Sequence, residues 1–213
     1  MDFDELQSAI ADLLDRDDIE AKTIQLWISL CEADMRRSIR HWRMEVRSRV
    51  ESTEQYLSLP PGWLETIRLL VRDTQEPLQI LSRQAMQENR ERMYSKPDTP
   101  QFYRHATDRL ELYPEPAEPV EIEMEYYAAV PTLGNDDYNT GAITTTNWIL
   151  ESHPDAYLYG TALHSAPWLV EDERLATWSS LYQTALARIN GESDRAEMSS
   201  SSPRIKNFGL SNA

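Results

Sequence analysis

The sequence predicts an α+β chain, mainly α. It reads as a helical bundle built from N- and C-terminal helices, with an inserted β-rich lobe and a flexible C-terminal tail. Three observations predict this. Apolar residues recur every three or four positions at both ends of the 213-residue chain, the period of one helical face. In the middle they alternate every second position, most cleanly over 120–128. After Gly191 the periodicity stops and a run of four serines, 199–202, follows. The implied divisions are 1–42 for N-terminal bundle helices, 43–130 for the β-rich lobe, 131–191 for C-terminal bundle helices and 192–213 for an extended tail.

Taken in order, Phe3, Leu6, Ile10, Leu13 and Leu14 predict a short helix over 3–14. The Asp15–Asp18 run breaks it and offers a cap for the next segment. Residues 19–41 carry Ile24, Trp27, Ile28, Cys31, Met35 and Ile39 as one stripe without Gly or Pro, a long amphipathic helix. Alternation over 43–50 and 54–59 predicts two short strands, the second stopped by Pro60-Pro61-Gly62. Trp63 to Val71 is apolar and open between helix and strand. A short apolar piece, 78–81, precedes a polar helix over 82–94, with Ser82 as its cap and Met86 and Met93 as its apolar contacts. Strands are predicted at 108–113 and 120–128, joined in hairpin fashion across Pro114-Glu115-Pro116. In the second, Val120, Ile122, Met124 and Tyr126 oppose Glu121, Glu123 and Glu125, the pattern of a half-exposed antiparallel strand. Those glutamates repel one another and need water or a basic neighbour. A loop over 131–146 leads to a short turn at 147–151 capped by Asn147, and Pro154 opens a further helix. One stripe from Trp168 through Trp178, Tyr182 and Ile189 then runs to Gly191.

Composition excludes several chemistries. Only six glycines occur, at 62, 134, 141, 160, 191 and 209, and the closest two are seven apart. No G-x-G-x-x-G, Walker A or G-x-S-x-G motif fits that spacing. The single cysteine, Cys31, rules out intramolecular disulfides and cysteine-rich zinc sites, and it reads as a small buried hydrophobe. The four histidines form no H-E-x-x-H pair. His153, Asp155 and Glu151 lie close, but Pro154 between them reads as a helix start with Asp155 favourable to its dipole. Asp136 and Asp137 sit among Gly134, Asn135, Asn139 and Gly141, which reads as a solvated turn rather than a cation site. We expect no catalytic residue, metal or cofactor. The acidic first residues predict no signal peptide, and no apolar run reaches the ~18 residues of a membrane span.

The charge is −15, from 21 basic and 36 acidic residues. Such a surface repels DNA and anionic membrane as tight partners. The charge is blocked. Residues 1–34 hold ten acids and two bases, residues 36–49 six arginines and one acid, and residues 108–137 nine acids and one base. Solvated helix ends account for some of this. The blocks also suit charge-matched contacts between copies, for which Arg36, Arg37, Arg40 and Arg43 are the candidates. Trp27, Trp148, Tyr157, Trp178 and Tyr182 read as packing anchors. In the tail, Arg204, Ile205, Lys206, Phe208 and Leu210 interrupt an otherwise polar stretch. That pattern fits an end that folds on a partner, either as a strand on a sheet edge or as a plug in an apolar groove.

Several words in the chain carry a resemblance. They are Tyr56-Leu57-Ser58-Leu59-Pro60 followed by Trp63-Leu64-Glu65, then Glu125 to Leu133 (EYYAAVPTL), Thr146 to Leu150 (TNWIL), His153 to Gly160 (HPDAYLYG), and Glu171-Asp172-Glu173-Arg174 with Trp178 and Tyr182 behind. In order and spacing this resembles the head-to-tail adaptors, or connectors, of short-tailed and some long-tailed bacteriophages, over residues 3–190. The resemblance implies a virion protein of the phage neck, assembled in the host cytoplasm and without catalysis. It implies a homo-oligomeric ring of about twelve copies joining the portal protein to the tail or nozzle protein. Copies are separate before assembly, and the C-terminal tail binds the portal. Genome DNA would pass through the ring without tight binding, helped by carboxylates that repel phosphate. The alternatives are another neck component (a stopper or tail terminator) or, further off, a small cell-wall hydrolase using two of the carboxylates.

Overall fold

The computed structural model describes residues 1–16, 18–93, 98–138, 140–168 and 173–200. In chain order come α1 (Phe3–Leu14), α2 (Ala21–Ser38), β1 (Glu45–Ser52), β2 (Tyr56–Ser58) and β3 (Trp63–Val71). There follow β4 (Glu76–Pro77), β5 (Gln79–Ile80), α3 (Arg83–Met93), β6 (Phe102–Ala106), β7 (Arg109–Tyr113) and β8 (Val120–Ala128). The last are α4 (Trp148–Ser152), α5 (Pro154–His164) and α6 (Leu175–Ser200). The fold is α+β, with helices at both ends of the chain and two four-stranded sheets in the middle. It divides into two compact units, one of residues 1–42 with 145 onward and one of residues 43–144.

In the helical unit, α1 begins at a reciprocal capping box. The Glu5 amide donates to Asp2 Oδ1 (2.9 Å) and the Asp2 amide donates to Glu5 Oε2 (2.9 Å). Leu6, Ile10 and Leu14 are its buried stripe, and Asp15 ends it in the left-handed region at φ 54°. Helix α2 stops at Ser38 rather than 41. Asn190 of α6 donates to the Ser38 carbonyl (3.1 Å) and accepts from the Arg40 amide (3.2 Å), while Ile39 turns extended. That end is set by a residue 150 positions away, which no local signal carries. Helix α5 packs against α1, α2, α4 and α6. It has little amphipathic contrast, as a helix enclosed on most sides should, and Ala156, Tyr157, Gly160, Thr161 and Ala162 are buried.

Helix α6 corrects two expectations. It begins at Leu175, after a short 3-10 turn at Ala166–Trp168, so Trp168 is not on its stripe. It also runs through Gly191 to Ser200, where an extended tail was expected from 192. Tertiary contacts hold this polar stretch. Ser193 is buried and its Oγ accepts from the Trp42 amide (3.0 Å), and Glu192 meets His153 Nε2 at 3.5 Å.

In the β unit, one sheet has the order β1-β8-β3-β4 and the other β2-β7-β6-β5. Their facing apolar sides form one core, centred on Leu69, Leu110, Leu112, Ile122 and Met124. Residues 63–71, ambiguous in sequence, form strand β3 against β8. Two register shifts, at Trp63/Glu65 and Thr66/Arg68, break its alternation, which is why the period was illegible. Strand β6 has no clear period in the sequence. It forms a hairpin with β7 around Thr107 (φ 59°) and Asp108. The expected hairpin between 108–113 and 120–128 does not form. β7 pairs with β2 and β6, β8 pairs with β1 and β3, and Pro114, Pro116 and Pro119 lie on the crossing between sheets. Proline has no amide for a ladder, and both strands carry apolar faces that meet across the core instead. Helix α3 is held to the second sheet through Glu111. That carboxylate is buried and contacts both Arg90 of α3 and Arg104 of β6, with Gln55 Nε2 donating at 3.2 Å. Ser82 Oγ caps α3 by accepting from the Ala85 amide (3.2 Å).

Candidate interaction surfaces

The five aromatic anchors all lie in the helical unit. Trp27, Tyr157, Trp178 and Tyr182 are buried, and Trp148 is half-buried with its ring 4.7 Å from that of His41. Tyr157 donates to Glu32 Oε1 (3.0 Å) and accepts from Asn147 Nδ2 (2.7 Å). Asn147 also accepts the Leu150 amide (3.0 Å), so one residue caps α4 and orients the tyrosine. Tyr182 donates to Asp34 Oδ2 (2.9 Å). Burial pushes both phenols well above their ordinary range, so they act as donors and not as acids. Burial likewise pushes the Cys31 thiol up, which keeps it protonated and a poor nucleophile.

His153 faces Glu192 and Asp155 faces Arg188 (3.8 Å), both across to α6. Asp137 closes its own turn, accepting the Thr140 amide at its Oδ1 (3.3 Å), and Asp136 bridges to Ile143.

The arginine block divides. Arg36 and Arg37 are exposed on the last turn of α2, and Arg37 reaches Asp34 (3.4 Å). Arg40 donates to the Arg36 and Ile39 carbonyls (3.0 and 2.7 Å), capping its own helix. Arg43 is exposed and opens the other unit. Arg47 and Arg49 are consumed on the outer face of the first sheet. Arg49 binds Glu123 (2.9 Å), and Arg47 contacts Glu123 (3.4 Å) and Glu125. From β3, Arg68 forks onto Glu125 (3.0 and 3.1 Å), and just beyond its end Arg72 meets Glu121 (2.7 Å). Four arginines thus interleave with the three glutamates of β8, the basic neighbours their repulsion required. The Arg68 hydrogen bond, followed by that of Arg47, holds the Glu125 carboxyl below the usual carboxylate range. β8 is accordingly less exposed than its alternation suggests, and Glu123 is buried.

Trp168, which the stripe pattern predicts to be core, is 52 % exposed. It packs edge-on to Trp27, with ring centroids 5.7 Å apart, and helps form a cleft of about 230 Å³ with Ile19, Thr23, Asp18 and Glu20. The Asp15–Asp18 run was visible, but only the fold brings it to the tryptophans. The tail residues 204–210 lie outside the described residues.

A family model described as SU10 adaptor protein matches residues 1–206. The chain belongs to this family. No curated protein matches it. Membership makes it a phage structural adaptor and a virion component, and an adaptor family points to a structural rather than an enzymatic role. The match corrects the extent of the resemblance. The adaptor pattern reaches to residue 206, past the expected limit near 190, and includes Arg204, Ile205 and Lys206. No helix among the described residues is long and apolar enough to cross a membrane.

Proposed function

We propose that the chain is a neck adaptor that forms a ring of about twelve copies between the portal protein and the tail or nozzle. The observation that carries this reading is the family match over residues 1–206. Charge supports the ring. The arginines at the end of α2 lie some 27 Å, the length of an 18-residue helix, from the acidic turn at its start. Opposite poles on one element suit a head-to-tail contact, Arg36 and Arg37 of one copy against the acidic turn of the next, and such contacts close into rings. Arg40 extends the same basic end, and Arg43 is the corresponding candidate on the other unit.

The DNA-channel reading narrows. Glu111, Glu121, Glu123 and Glu125, four of the nine acids in the 108–137 block, are engaged by arginines, so that block repels phosphate less than its count suggests. The carboxylates that keep phosphate from sticking are then mainly those of residues 1–34 outside the acidic turn, with the remaining acids of the 108–137 block. Arg204, Ile205, Lys206, Phe208 and Leu210 dock the chain on the portal. The test is a pull-down of portal rings by the chain lacking residues 203–213. Loss of binding by a folded protein is expected, and undiminished binding would overturn the tail assignment. Negative-stain images of the intact chain mixed with its portal should show an added ring.

A further inference from the structure

Among the described residues, the Trp27–Trp168 cleft has a specific chemistry. Its walls are Trp168, Trp27, Ile19 and Thr23, and its rim carries Asp18 and Glu20. Arg16 also lines it, but is occupied by Asp18 (2.8 Å). Its volume, about 230 Å³, falls below the roughly 300–1,000 Å³ of small-molecule sites and suits one or two side chains. The surrounding stretch, residues 11–20, holds five acids and one base. The cleft therefore selects an apolar or aromatic side chain flanked by cations, in a segment without acids.

Acid-free stretches that set apolar side chains beside cations occur at 36–44 and 174–190, where they are built into helices and turns of the fold, and in the C-terminal tail. Residues 203–213 carry Ile205, Phe208 and Leu210 beside Arg204 and Lys206, with no acid. We propose that this segment of a second copy of the chain occupies the cleft, with its apolar side chains against Trp168 and its cations at the acidic rim.

Reach excludes the chain's own tail. The cleft lies at the starting end of α6, because Arg174 there donates to the Leu13 carbonyl (3.1 Å), three residues before Arg16. The tail departs from the other end, after Ser200, and 26 helical residues span about 39 Å. From Ser200, eight extended residues to Phe208 cover at most ~29 Å, and ten to Leu210 at most ~36 Å. Neither spans the helix and enters the cleft.

A tail-to-cleft contact joins unlike surfaces of two copies, so repetition generates a ring or a filament. It is small, which makes it transient on its own and leaves copies separate in dilute solution. The same three apolar side chains cannot sit on a portal and in a neighbour's cleft at once, so portal engagement empties the cleft.

The experiment uses the dilute full-length chain and a fluorescein-labelled peptide of residues 201–213, read by fluorescence anisotropy without any portal. Saturable binding is expected, weakened about tenfold or more by Trp168→Ala and weakened also by Glu20→Lys, both exposed positions whose folding is checked by circular dichroism. A peptide with Ile205, Phe208 and Leu210 all replaced by Ser should not bind. Absence of binding to the native chain, or binding to both variants as tight as to the native chain, overturns the proposal. Because no portal is present, either result leaves the portal pull-down to be judged separately.

Discussion

Gly160 of α5 lies against Cys31 of α2 and Tyr182 of α6. A Cβ there would fall inside the contact distance of Cys31 Sγ and 2.7 Å from the Tyr182 ring. Neither neighbour can give way easily, since both are buried and Tyr182 is tied to Asp34. Gly160→Ala should therefore destabilise the helical unit by roughly 1–3 kcal/mol through overpacking, despite alanine's better helix propensity. Urea denaturation followed by tryptophan fluorescence measures this, and a neutral or stabilising result would mean that the helices can move apart. Tyr182 and Cys31 were legible as buried from their place in the helical stripes. The glycine's role was not, because its cause is two side chains from other helices.

At the scale of an element, β8 shows how a strand with three glutamates on one face becomes the centre of a sheet. Val120, Ile122, Met124 and Tyr126 face the core, and Arg47, Arg49, Arg68 and Arg72 cover the other side. The Glu125 carboxyl, held low by Arg68 and then Arg47, loses its proton more readily in the folded chain than in the unfolded one. Its contribution to stability is complete above its ordinary value of 4.5 and disappears as pH falls through the lowered folded value. Glu125→Gln should thus be less stable than the native chain at neutral pH, with the gap closing below about pH 4. Denaturation midpoints of both proteins across pH 3–7 provide the measurement, and a gap independent of pH would remove the ion pairs as its cause. The alternation of β8 was plain in sequence. Its central position was not, since pairing with β1 and β3 depends on residues some 50 to 80 positions earlier.

For the whole molecule, the central fact is a chain whose two ends build one unit and whose middle builds another. The β unit has its own apolar core between two sheets and its own buried ionic hub at Glu111. At about 100 residues it is of a size that folds alone. Residues 43–144 expressed by themselves should give a β-rich far-UV spectrum and a cooperative thermal transition. A non-cooperative melt would show that its core is insufficient without the helices. The assembly proposals rest mainly on the helical unit, which carries the cleft and the charged poles.

By itself, the sequence determined the α+β class, the positions of most helices and strands, the buried aromatic stripes and the adaptor family. Each of these follows from local periodicity or from ordered words along the chain. Only tertiary structure decided that β7 and β8 face each other across a core rather than pair, that α2 ends at Asn190's contact, and that α6 continues past Gly191. It also decided which arginines are spent on β8 and which stay at the surface, and it turned Trp168 from a core residue into the wall of a cleft. The reason is common to all of them. Hydrogen bonds, ion pairs and packing between residues distant in sequence outweigh local propensity, and they leave no periodic trace where they act.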